Sequence, residues 1–148
     1  MEFQKLRLSQ VDRAVRLASA PPRPSPGWIQ TIRTALGMTT RQLAGRLGVS
    51  QSTLTALEKS EAEDRITLQS LRRAAEALDC ELQYVLVPRS SLKRRVEDRA
   101  QDVAHERVAR VWHSMRLEEQ APTARLDKKE VSRVQRDLLD DNWKQLWD

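Results

Sequence analysis

The 148-residue chain has one cysteine, Cys80, and two histidines, His105 and His113. A lone cysteine excludes an internal disulfide and fits a reducing compartment, and without Cys or His pairs at ligand spacing no zinc or other metal site is expected. The histidines read as ordinary surface residues. No glycine-rich phosphate loop and no nucleophile–base pair is visible, so an enzyme is the least favoured class and no cofactor is expected. No apolar stretch approaches membrane-spanning length, and the start, MEFQKLRLSQVDR, has no apolar signal region. No membrane association is expected, and the chain reads as cytoplasmic.

Charge is present and unevenly placed. The formal net charge is +5. Residues 1 to 50 carry Lys5, Arg7, Arg13, Arg16, Arg23, Arg33, Arg41 and Arg46 against only Glu2 and Asp12, which leaves the rest close to neutral. A basic end suits a polyanion, but charge alone does not say which one.

Apolar positions Leu6, Val11, Ala14, Val15 and Ala18 predict an amphipathic arm over residues 1–20, either a docking arm or a cover for the next domain. The proline-rich stretch 21–27 is a linker, because clustered prolines remove backbone donors and hold the chain extended. Residues 28–79 then spell four short helices. Ser25 is placed to cap the first, with Pro26 at its first position and Trp28, Ile29, Ile32, Ala35 and Leu36 at helical spacing; Gly37 closes it. Thr39 and Gln42 form a capping box for a helix from Thr40 to Leu47. Gly48 supplies a turn, Val49 plugs the space between two helices, and Ser50 caps a third helix, Gln51 to Lys59. There Leu54 and Leu57 face inward while Gln51, Ser52, Thr55 and Ala56 face a partner. Thr67 caps the fourth helix.

Residues 80–88, CELQYVLVP, are rich in β-formers and read as one strand. A strand cannot satisfy its own backbone, so it pairs within the chain or with its copy, and pairing with a second copy is the preferred account. Residues 89–148 form a helical extension. A long helix runs through Leu92, Val96, Ala100, Val103, Ala104, Val108, Val111 and Met115, a second spans 127 to 140, and Trp143 and Trp147 share one face if the end is helical.

Residues 39–59, TTRQLAGRLGVSQSTLTALEK, closely resemble the helix-turn-helix of the phage-repressor-like, Xre-type family through Leu43-Ala44, Leu47-Gly48-Val49-Ser50, Leu54 and Leu57-Glu58. The resemblance implies an all-α fold: a phage-repressor-like helix-turn-helix domain, here joined to one short dimerising β-strand and a helical C-terminal extension. It implies double-stranded DNA as partner, with Gln51, Ser52, Thr55 and Ala56 at base edges and Thr40, Arg41 and Arg46 at phosphates. A homodimer would read an inverted-repeat operator.

More widely, RPSPGWIQTIRTALGM, LEKSEAEDRITLQSLRRAAEALDCELQYVLVPR and HSMRLEEQ resemble the family called mobile mystery protein A. Members are repressor-like proteins encoded beside a Fic-domain partner, so this resemblance implies an autoregulating antitoxin whose C-terminal half holds a Fic-domain toxin. Fic inhibitory helices commonly read Ser or Thr, three residues, Glu, then Gly or Asn. Ser114-Met-Arg-Leu-Glu118 matches five positions, with Glu119 departing at the sixth. Ser114 and Glu118 are thereby expected in toxin inhibition, unless Glu118 is one more solvated glutamate. Trp143 and Trp147 are either a second anchor or part of the chain's own core. The competing reading is a stand-alone dimeric repressor whose extension only oligomerises.

Overall fold

The computed structural model describes residues 2–117 and 127–148. Among these the regular structure is helical: α1 (Glu2–Arg16), α2 (Trp28–Ala35), α3 (Thr40–Leu47), α4 (Gln51–Ala62), α5 (Leu68–Ala77), α6 (Leu92–Leu117), α7 (Lys128–Asp140) and a 3-10 helix (Trp143–Leu146). Two compact units result, one of Ser19–Val85 and one of Met1–Ala18 with Leu86–Asp148.

In the Ser19–Val85 unit, α2 to α5 enclose Ile29, Leu43, Ala44, Leu54, Ala74 and Leu78, with Ile32, Leu47, Val49 and Leu71 packed around them. Local chemistry ends each helix. All four close on a residue in the left-handed region, Gly37 (φ 68), Gly48 (φ 68), Asp64 (φ 57) and Asp79 (φ 55). In each case the next N–H returns to a carbonyl five residues back, Met38 to Arg33, Val49 to Ala44, Arg65 to Ser60 and Cys80 to Ala75, at 2.8–3.0 Å. These are Schellman closures, which satisfy carbonyls the helix leaves open. The starts of α3, α4 and α5 are capped by Thr39, Ser50 and Thr67, each accepting an N–H from three residues on, and the Thr39–Gln42 capping box is complete.

The start of α2 departs from the expectation that Ser25 caps a helix with Pro26 at its first position. Gly27 holds the N-cap at φ 88 with no side-chain cap of its own. The cap comes from α4, where buried Glu61 accepts the N–H of Trp28 and, at 3.2 Å, that of Ile29. A carboxylate at a helix N-terminus meets both the orphan donors and the positive end of the dipole, which a serine hydroxyl two residues upstream does not.

In the other unit, α6 places Val96, Ala100, Val103, Ala104 and Val108 against Val131 and Leu138 of α7 and Leu146 of the 3-10 helix. Ala100 and Ala104 are fully buried, small enough for α7 to approach closely. Arg99 Nε donates to the Leu146 carbonyl at 2.6 Å, tying down the chain end. α1 belongs to this unit. Its inward face runs through Leu8, which packs on the α6–α7 core, to buried Asp12, while Leu6 and Val11 of the expected stripe are exposed. Asp12 accepts the N–H of Leu92 at 2.7 Å and of Lys93 at 3.1 Å, capping α6 from another helix.

Two further expectations are corrected. No strand occurs among the described residues, and 80–88 is irregular with Tyr84, Val85, Leu86 and Val87 exposed. β-forming side chains do not make a strand without a neighbour to take the backbone N–H and C=O groups, and no described segment supplies one. Trp143 and Trp147 do not act as a pair on one face. Trp143 packs on the core and donates its Nε1–H to Leu139 O at 3.0 Å, whereas Trp147, beyond the last 3-10 residue, is 52% exposed.

Candidate nucleic-acid interface

α4 has two distinct faces, and the inner one fixes the outer. Leu54 is fully buried, and Glu58, one turn on, is 6% exposed. Arg33 of α2 meets Glu58 through Nε–Oε1 at 2.6 Å and Nη2–Oε2 at 3.2 Å, while its Nη1 donates to Met38 O at 2.9 Å. Met38 immediately precedes the α3 cap. One guanidinium therefore joins the start of α3 to the middle of α4, fixing the turn from both sides with a two-pronged, directional contact. Sequence reasoning took Glu58 only as part of the motif. The available signal was spacing: Leu54, Glu58 and Glu61 share the inward face, where a carboxylate requires a partner.

On the outer face Gln51, Ser52, Thr55 and Ala56 are all exposed. Gln51 Nε2 donates to Thr40 Oγ1 at 2.8 Å. This bond orders a long side chain and links the first residue of α4 to the first of α3. Thr40's hydroxyl, having accepted from Gln51, keeps its own O–H to donate outward, while the Gln51 carbonyl oxygen remains an acceptor. Thr55 donates its hydroxyl to the Gln51 backbone carbonyl at 3.0 Å. Ser52 shares its hydroxyl with that of the cap, Ser50, at 3.0 Å.

Arg41 and Arg46 are exposed on α3. Two exposed acidic side chains of the unit are in ion pairs: Asp64 pairs with Arg23 at 3.1 Å, and Glu63 is held by Arg65 and by Lys59. The hydrogen bond from Arg65 lowers the Glu63 pKa against an opposing desolvation, with the charges of Arg65 and Lys59 adding to the lowering. In the other unit Glu130 is likewise lowered, and Arg133 raised, by their mutual hydrogen bond.

The structure thus gathers Gln51, Ser52, Thr55 and Ala56 on one surface and attaches Thr40 to it. Ser114 is exposed near the end of α6, in the other unit. Glu118 and Glu119 lie outside the described residues. Among the described residues no group of His, Cys, Asp or Glu is assembled to hold a metal ion, and no helix is long and apolar enough to cross a membrane.

Residues 29–85 match the family model described as helix-turn-helix. Comparisons of the chain with curated proteins and with solved structures found no match. The matched span runs from buried Ile29 through all four helices, so residues 29–85 are an Xre-type helix-turn-helix domain, which points to a DNA-binding regulator.

Proposed function

We propose that the chain is a sequence-specific repressor that binds an inverted repeat as a homodimer, α4 lying in the major groove. The observation carrying this is the Gln51–Thr40 bond on an otherwise open polar face. It presents a preorganised amide beside small side chains, the combination suited to an adenine edge and a neighbouring thymine methyl. Arg41, Arg46 and the outward hydroxyl of Thr40 supply phosphate contacts. The operator lies in the chain's own promoter.

Selection from a random duplex library tests this. An enriched inverted repeat is expected, with half-sites about 34 Å or a multiple of it apart. Gln51→Ala then relaxes one base position, costing about 1–3 kcal/mol there, whereas Arg46→Ala weakens all sequences alike and lowers the salt slope by about 1. No enriched sequence, or an unchanged preference in Gln51→Ala, removes the reading.

A second function, neutralising a Fic-domain toxin that transfers AMP, is supported by the resemblance to mobile mystery protein A and by the unburied apolar end of α6. Val111, Met115 and Leu117 are 58%, 40% and 74% exposed, beside Ser114. Glu118→Ala is expected to release AMP transfer when the chain is co-expressed with a Fic-domain protein encoded beside it. Neutralisation that survives Glu118→Ala ends the glutamate's role, and failure to form any complex leaves the stand-alone repressor.

A further inference from the structure

The cleft between α1, α6 and α7 lies within the α6–α7 unit and is lined by no residue of α4. It is a groove of about 730 Å³. Its floor is apolar, formed by Leu8, Val96, Leu139 and Trp143. Its acidic side chains are already engaged: Asp12 by the backbone at the start of α6, Asp140 by Lys5 at 3.0 Å, and Glu97 by Lys93 at 3.9 Å. Arg13 and Arg16 of α1 and Arg136 of α7 also line it, and among the described residues none of the three is in an ion pair. Unpaired cations therefore border an apolar floor from two different helices.

We propose that this groove docks a segment of a partner protein that carries several carboxylates around an aliphatic or aromatic anchor. The anchor fills the floor, where removal of apolar surface from water supplies the affinity, and the flanking carboxylates meet the arginines and set orientation and choice of partner. Other anions fit less of the site. A nucleic-acid backbone pairs with the arginines but leaves the floor in water. A long-chain carboxylate fills the floor but has one charge for three separated cations.

The test is selection of a displayed random 16-residue peptide library on the full chain, with counter-selection on the Arg13→Glu/Arg136→Glu double variant. Enriched peptides are expected to carry at least two acidic residues near Trp, Phe or Leu. A synthetic copy should lose about tenfold or more in affinity for the double variant and bind more weakly at high salt. Arg13→Gln/Arg136→Gln, which removes charge without reversing it, should lose part of that affinity while keeping the wild-type melting temperature. No enrichment, enrichment of peptides without acidic residues, or equal binding to the variants overturns the proposal. So does tight binding of dodecanoate that blocks peptide selection, or a tenfold loss of duplex DNA affinity in the double variant. Operator binding by α4 is expected to be intact in these variants, so the two readings fail separately.

Discussion

Arg33 and Glu58 are 8% and 6% exposed, so their charges are held by each other and by the Met38 carbonyl and hardly at all by water. Removing one partner strands the other. Arg33→Met is expected to lower unfolding free energy by about 3–5 kcal/mol, while Arg33→Met/Glu58→Leu recovers most of it, since an apolar pair of similar volume replaces a buried ion pair at little cost. Urea unfolding followed by circular dichroism measures both; equal losses in the single and double variants would show that the pair does not act as a unit. Gly27 is the second critical residue. At φ 88, with a new Cβ standing 2.9 Å from the Glu61 carboxylate, alanine is strained and also pushes away the cap of α2. Gly27→Ala is expected to cost about 1–3 kcal/mol by the same measurement.

At the scale of the element, the four helices of the Ser19–Val85 unit share one closing device but not one closing residue. Gly37 and Gly48 adopt the left-handed conformation freely, whereas Asp64 and Asp79 are carried into it by the closure. Asp79→Gly is expected to stabilise the domain by roughly 0.5–1 kcal/mol, read as a rise in its melting temperature. Asp64 pairs with Arg23 and should gain less. These boundaries explain what could be read in the sequence. Thr39, Gln42, Gly48, Ser50 and Thr67 act on neighbours within a few residues, so α3, α4 and the start of α5 were legible, and with them the outward face of Gln51, Ser52, Thr55 and Ala56. The Glu61 and Asp12 caps reach 33 and 80 residues along the chain, and no local pattern encodes such a partner. Residues 80–88 mislead for the opposite reason: their β-forming side chains are a local property, while pairing is not.

For the whole molecule, the basic first third of the sequence is divided between the two units. Lys5, Arg7, Arg13 and Arg16 belong to the α6–α7 unit, and the helix-turn-helix unit keeps only part of the excess. An amphipathic helix announces that it will be buried, not against what, so α1 could not be assigned from its own residues. Two units with separate cores are expected to unfold in two steps. Deleting residues 1–18 should lower the transition of the α6–α7 unit by several degrees and leave that of the helix-turn-helix unit in place, as read by calorimetry. A shift of both transitions together would show that they form one cooperative body. Asp12→Ala should move the same transition less, by the loss of a single cap worth about 1 kcal/mol.

The cap of α6 by Asp12 also sets an order of events during synthesis. The two residues joined are 80 apart in the chain, and at a ribosomal pace of about 5–20 residues per second the donor backbone follows the acceptor by roughly 4–16 s. The helix-turn-helix domain, whose core side chains lie between Ile29 and Leu78, emerges within that interval and can begin to fold before α6 is made. α1 waits without its partner, a short basic amphipathic segment open to chaperones at the exit tunnel.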